Sequence, residues 1–204
     1  MEQVAIFGGT FNPIHKGHIH LCRQCQKAMG FDRVILMPTN IPPHKRAHHL
    51  ASNEDRLQMC TLAVKGNPDF SVSDLEMRRQ GVSYTVDTLG QIHQEHPDWK
   101  LFLLIGSDML FMFHRWYQWE TILSLADLVV GAREPEEEQR MRQYAAQSLQ
   151  GSEKIHILKL DAMPMSSTVI RRMLRNGEDP AEYLEPEVYE YINAHHLYRS
   201  HGKA

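Results

Sequence analysis

VAIFGGTFNPIHKGH, residues 4 to 18, is the stretch whose reading decides the fold. Val4-Ala5-Ile6-Phe7 is a short apolar run of the kind that forms a buried strand. Gly8 and Gly9 lack a Cβ, so the chain can turn sharply there and approach a ligand closely. Asn12-Pro13 marks a turn, and a helix is predicted to begin near Gly17. His15 and His18 lie three apart across that start. The first N–H groups of a helix have no partner within it, and the helix dipole is positive at that end, so the site suits an anion. Taken singly, a Gly-Gly turn or a pair of histidines is ordinary. Together they bring the turn, the helix start and two imidazoles to one place, and phosphate is the guest they suit. The chain contains neither GxxxxGK[ST] nor GxGxxG, so this is not one of the common phosphate-binding loops.

Working outward, the helix predicted to Met29 and the apolar run Val34 to Met37 complete a βαβ unit. That second strand ends in PTNIPPHK, residues 38 to 45, where three prolines forbid regular structure and Lys45 adds charge. Ser52 with Asp55 resembles a capping box for a helix reaching about Lys65. Phe70 to Val72 reads as a strand, and Ser83 to His96 as a helix stopped by Pro97. Leu101 to Ile105 is continuously apolar, as in a parallel strand covered on both faces, and runs into Gly106-Ser107-Asp108. The aromatic residues between Phe111 and Trp119 read as packing a helix against the sheet. Asp127 to Gly131 is another strand, followed by a helix with Pro135 in its first turn and Glu136 to Glu138 complementing its dipole. Ile155 to Leu160 is the last strand. Ser166-Ser167-Thr168 then opens a helix ending at Gly177, with Ser167 and Arg171 on one face as a second phosphate site. A final helix spans about Glu185 to His195. Strands alternate with helices and no linker or repeat interrupts them, so an α/β fold in one domain, residues 1 to 204, is expected.

The length of 204 residues suffices for a sizeable core, and the net charge of -3 argues against a broad electrostatic grip on a nucleic acid polymer. The longest apolar run is far too short to span a bilayer, and no basic leader precedes an apolar stretch, which together point to the cytoplasm. Cys22 and Cys25 form a CxxC, but no second pair completes four ligands, and they read as small buried thiols inside the first helix. No protein metal site is expected.

These pieces resemble the bacterial nicotinate-nucleotide adenylyltransferases of the HxGH nucleotidyltransferase superfamily. The resemblance rests on GGTFNPIHKGH, PTNIPPHK, EDRLQM, SYTVDTL, LIGSDML, Trp116-Tyr117 and SSTVIR, and covers nearly the whole chain. It implies a doubly wound parallel sheet, Rossmann-like, and a reaction joining nicotinate mononucleotide to the AMP portion of ATP with release of pyrophosphate. It also implies roles. His15 and His18 would meet the ATP phosphates beside Gly8, Gly9, Thr10, Phe11 and Gly17. Lys45 would reach the triphosphate or the attacked phosphate. Ser166, Ser167, Thr168 and Arg171 would hold the leaving pyrophosphate, and Gly106 and Asp108 the adenosine. Thr85, Trp116 and Tyr117 would hold the pyridine ring. Gly9, Thr10, Asn40, Lys45 and Arg133 would complete the mononucleotide pocket. Mg²⁺ would come bound to the substrate. Partners implied are the two nucleotides, with no polymer and no membrane; the sequence leaves a homo-oligomer open. The nearest rival is a sister enzyme acting on nicotinamide mononucleotide or phosphopantetheine. A nucleotide sensor without turnover is the rival from another class.

Overall fold

A computed structural model describes residues 1–40, 50–79, 81–132, 134–161, 163 and 165–199. Six strands, β1 (Glu2–Gly9), β2 (Arg33–Pro38), β3 (Phe70–Val72), β4 (Trp99–Ile105), β5 (Ala126–Ala132) and β6 (Ile155–Lys159), form one sheet in the order β3-β2-β1-β4-β5-β6. Every pairing is parallel, with Ile6 opposite Ile35 on one side and Leu103 on the other. The helices are α1 (Lys16–Met29), α2 (Asn53–Val64), α3 (Leu75–Arg78), α4 (Thr85–Glu95), α5 (Ser107–Leu110), α6 (Trp119–Leu125), α7 (Pro135–Ser148), α8 (Ser167–Asn176) and α9 (Pro186–Ala194).

Alternation along each strand explains why the strands read as unbroken apolar runs. Val4, Ile6, Leu101, Leu103, Leu128 and Val130 point to one face and pack against α4, α6 and α7. Ala5, Phe7, Phe102, Leu104 and Val129 point to the other, against α1, α2, α8 and α9. Both faces are therefore dry, as a doubly wound sheet requires. Truncating a fully buried ring such as Phe102, 1% exposed, to alanine would cost about 3 to 5 kcal/mol.

Local chemistry sets the helix ends. Ser52 caps α2 by accepting the Asp55 N–H at 3.0 Å, and Gly30 and Gly177 end α1 and α8 in the left-handed region at φ 70 and 76. The cysteines of the CxxC are buried and unpaired, on the core face of α1. The aromatic stretch differs from a plain packed helix. Phe113–Arg115 is a 3-10 turn and Gln118 takes φ 52, so α6 begins only at Trp119. The ring of Phe113 packs on those of Trp116 and Trp119 at 5.4 and 6.1 Å, and ring packing, not helical spacing, organises this segment.

The chain travels from β1 outward to β3, then returns to the other side of β1 for β4. Connections leave the carboxyl ends of β1 and β4 toward opposite faces, and that switch point opens a crevice.

Candidate active site

The loop leaving β1 is shaped by two rings. Phe11 adopts φ 45, and its ring lies over Gly9, where a Cβ would come within 2.8 Å of it. His15 stands in extended backbone as the N-cap of α1, and its N–H donates to Nδ1 of His18 at 3.2 Å. The two imidazoles stack with centroids 3.7 Å apart. A Cβ on Gly17 would sit 3.0 Å from Nδ1 of His15, so the glycine between the histidines makes room for the stacked ring.

This packing sets the protonation. Burial pushes His15 down to about 4, and burial together with the neighbouring His15 holds His18 well below the usual imidazole range. Because Nδ1 of His18 accepts a hydrogen bond, the proton of the neutral ring is assigned to Nε2, which is left as a donor. Among the described residues, buried Nδ1 of His15 has no hydrogen-bond partner. Both rings are neutral and carry unspent hydrogen-bonding capacity in a cleft that offers two helix N-termini.

The second N-terminus is that of α8. Ser166 caps it, accepting the Val169 N–H at 3.3 Å. Ser167 Oγ donates to the Pro13 carbonyl at 2.8 Å, and Arg171 donates from Nη1 to the Asn12 carbonyl at 2.7 Å and from Nη2 to Thr168 Oγ1 at 3.2 Å. These bonds fasten α8 to the loop before α1, so residues some 150 positions apart in sequence act on one volume.

That volume is a cleft of about 960 Å³ above β1 and β4. Of the residues expected at a site, Gly8, Gly9, Thr10, Phe11, His15, Gly17 and His18 line it from one loop. Ser166, Ser167, Thr168 and Arg171 line it from α8, and Thr85 and Trp116 from the opposite wall. Gly106 and Asp108 flank it: Ser107 and Met109 between and beside them reach the cleft, while Asp108 is exposed on α5. Tyr117 is 55% exposed and packs its ring on Tyr84 at 4.9 Å, outside the lining. Asn40 is also outside it, donating to the Arg79 carbonyl at 2.9 Å and accepting from Asn53 at 2.7 Å. Lys45 and Arg133 lie outside the described residues.

Three residues to which the sequence reading gave no role in the site support it. Arg56 is fully buried and donates to the Thr10 carbonyl at 2.8 Å, tying α2 to the loop after β1. A cation one turn before Met59 and Cys60, on the buried stripe of α2, was the available signal. Asn12, 3% exposed, accepts the Ala51 N–H on Oδ1 at 3.1 Å. Glu76, also buried, faces the cleft and accepts from Thr88 Oγ1 at 2.7 Å; burial raises its carboxyl above the usual range, opposed by the Thr88 bond. Nothing in the sequence marks it. Among the described residues no three His, Cys, Asp or Glu side chains gather as metal ligands, and no helix is long and apolar enough to cross a membrane.

Comparison with known proteins agrees with the geometry. Residues 6–173 match the family model described as cytidylyltransferase-like. A protein from Symbiobacterium thermophilum named as a probable nicotinate-nucleotide adenylyltransferase is 37% identical over 99% of both chains. One of the same name from Pectobacterium atrosepticum is 38% identical over 96% of this chain and 98% of its own. In fold, the chain is similar to the Plasmodium falciparum nicotinic acid mononucleotide adenylyltransferase solved with NaAD. Their TM-score is 0.75 at 18% identity, over 97% of this chain and 98% of that one.

Proposed function

The chain belongs to the cytidylyltransferase-like family and, within it, to the nicotinate-nucleotide adenylyltransferases, and from that premise we propose how its cleft works. It transfers the adenylyl group of ATP to nicotinate mononucleotide, giving nicotinate adenine dinucleotide and pyrophosphate, a step of NAD biosynthesis. The observation that best supports the residue roles is the junction of α1 and α8. Two helix N-termini, two neutral imidazoles and the Arg171 fork face one cleft, with Trp116 and Thr85 across from them.

A phosphate oxygen of the mononucleotide attacks the α-phosphorus of ATP, and the bond from that phosphorus to the bridging oxygen of pyrophosphate breaks. A phosphomonoester is largely dianionic at neutral pH, so the nucleophile needs no protein base. The obstacle is the meeting of two anions, which is met by positioning and by donors aimed at the charge that develops. Neutral His18 gives such a donor at Nε2 without surrendering its proton. Ser167, Thr168 and Arg171 hold the departing pyrophosphate at the start of α8. Lys45 adds positive charge at the triphosphate, Gly106 and Asp108 border the adenosine, and Asn40 and Arg133 belong to the mononucleotide side. ATP would enter as its magnesium complex, the ion supplying positive charge at the phosphates and needing no ligands from the protein. The whole chain serves as one catalytic domain in the cytoplasm, a setting that suits three free buried thiols.

The test is pyrophosphate release by the purified protein with ATP and a panel of phosphorylated acceptors. Nicotinate mononucleotide should give by far the fastest release; release only with phosphopantetheine or a sugar phosphate would overturn the reading.

A further inference from the structure

After α9 the chain does not trail away. The Leu197 N–H donates to the Ile192 carbonyl at 3.0 Å, and His196 and Tyr198 take φ 51 and 63, which fold residues 195 to 199 back onto the body. Left-handed backbone is costly for a bulky aromatic residue, so specific contacts must hold Tyr198 there. Its ring packs on the core face shared by α1, α2, α8 and α9. Its hydroxyl donates to Asn12 Oδ1 at 2.8 Å, across 186 positions of sequence. Burial pushes the phenol up, while the nearby Arg171 and Arg56 act in the opposite direction, so the hydroxyl remains protonated and a donor at any physiological pH.

Asn12 is thus held at both ends. Its side-chain oxygen takes the Ala51 N–H and the Tyr198 hydroxyl, and its backbone carbonyl takes Nη1 of Arg171. We propose that Tyr198 is a positioning residue for adenylyl transfer, its hydroxyl fixing Asn12 and, through the Asn12 carbonyl, the guanidinium of Arg171. The proposal rests on the adenylyl-transfer reading given above. A tail that carries no recognisable motif is then part of the catalytic scaffold. The phenol touches no substrate; it removes freedom from the loop that ends in the stacked histidines, and a donor held loosely stabilises a transition state less well than one held in place.

Tyr198→Phe keeps the ring and its packing and removes only the hydroxyl. Tyr191→Phe is the matched control: that hydroxyl, on α9, donates to Asp55 Oδ1 at 2.9 Å and does not reach the loop of residues 10 to 15. With ATP and nicotinate mononucleotide, Tyr198→Phe should lower kcat by about 5- to 10-fold, the scale of one buried hydrogen bond, with KM for the mononucleotide within about 2-fold. Tyr191→Phe should leave kcat within about 2-fold of the parent. In an Arg171→Lys background the same Tyr198→Phe change should cost less than about 2-fold, because the effect travels through Arg171. Amide exchange at residues 10 to 15 should accelerate in Tyr198→Phe and not in Tyr191→Phe, a readout that needs no turnover. Unchanged exchange, an unchanged kcat, or full additivity with Arg171→Lys would each overturn the proposal. A parent inactive with these substrates would count against the assigned reaction, and the exchange experiment would still decide the positioning role.

Discussion

The His15 N–H donates to Nδ1 of His18 while the two rings stack at 3.7 Å, so one histidine fixes the tautomer of the other. The proton of His18 is thereby directed to Nε2, where it can meet a phosphate oxygen. His18→Ala should lower kcat by about 100-fold or more, with a smaller effect on KM for ATP, because a donor aimed at developing charge matters most in the transition state. Steady-state kinetics with ATP varied would test this, and a variant within about 3-fold of the parent would show that the imidazole is only a neighbour.

The buried imidazoles also make stability depend on pH. His15 falls from 6.5 to about 4 on folding, so between those values the unfolded chain binds more protons than the native one. The contribution is complete above pH 6.5 and is lost as pH drops toward 4. By pH 5 the native state should have lost about 2 kcal/mol through this group. His15→Asn should lose correspondingly less between pH 7 and 5 in urea unfolding. Parallel losses in parent and variant would remove His15 as the cause.

Glycines in the loop should divide by what surrounds them. A Cβ on Gly17 would press on the His15 ring at 3.0 and 3.1 Å, whereas a Cβ on Gly8 meets nothing within 4 Å and Gly8 lines the cleft. Gly17→Ala should therefore lower kcat by about 10-fold or more by displacing the stack. Gly8→Ala should keep its melting temperature and raise KM. Thermal unfolding beside kinetics separates the two cases, and equal behaviour of the two variants would refute the division.

Arg171→Lys should be costly although the charge is kept. The guanidinium bonds the Asn12 carbonyl and Thr168 Oγ1 from two different nitrogens, a fork that an ammonium does not reproduce. The loss should appear in kcat and in KM for ATP. A change confined to KM for the mononucleotide would put Arg171 at the wrong end of the cleft.

Much of this fold was legible because its signals are local. The strand periodicity, the Ser52 and Ser166 caps, Pro135 and the terminal glycines each fix an element from neighbours in sequence. The β1 loop was legible for the same reason, as glycine, proline and histidine sit within one short run. The links that assemble the site were not. Arg56 to Thr10, Ser167 to Pro13 and Tyr198 to Asn12 join positions 46, 154 and 186 apart, and no local pattern encodes such pairs. The segment from Phe111 to Trp119 resisted reading because ring packing and a left-handed Gln118 override helical spacing there.

Substrate choice bears most directly on the assigned reaction. Trp116 offers a ring face to a pyridinium, an attraction of about 0.5 to 2 kcal/mol that nicotinate and nicotinamide share equally. Discrimination must come from hydrogen bonding at the carboxylate. Thr85 opens α4 and lines the same cleft as Trp116, and the first N–H groups of a helix are donors without partners inside it, suited to an anion. A carboxamide turned toward them offers one acceptor fewer and sets a donor against a donor, a penalty of about 3 to 5 kcal/mol. The decisive measurement is kcat/KM for nicotinate and nicotinamide mononucleotides at saturating ATP. The account predicts a preference for the acid of at least about 100-fold, and equal values, or a preference for the amide, would contradict it.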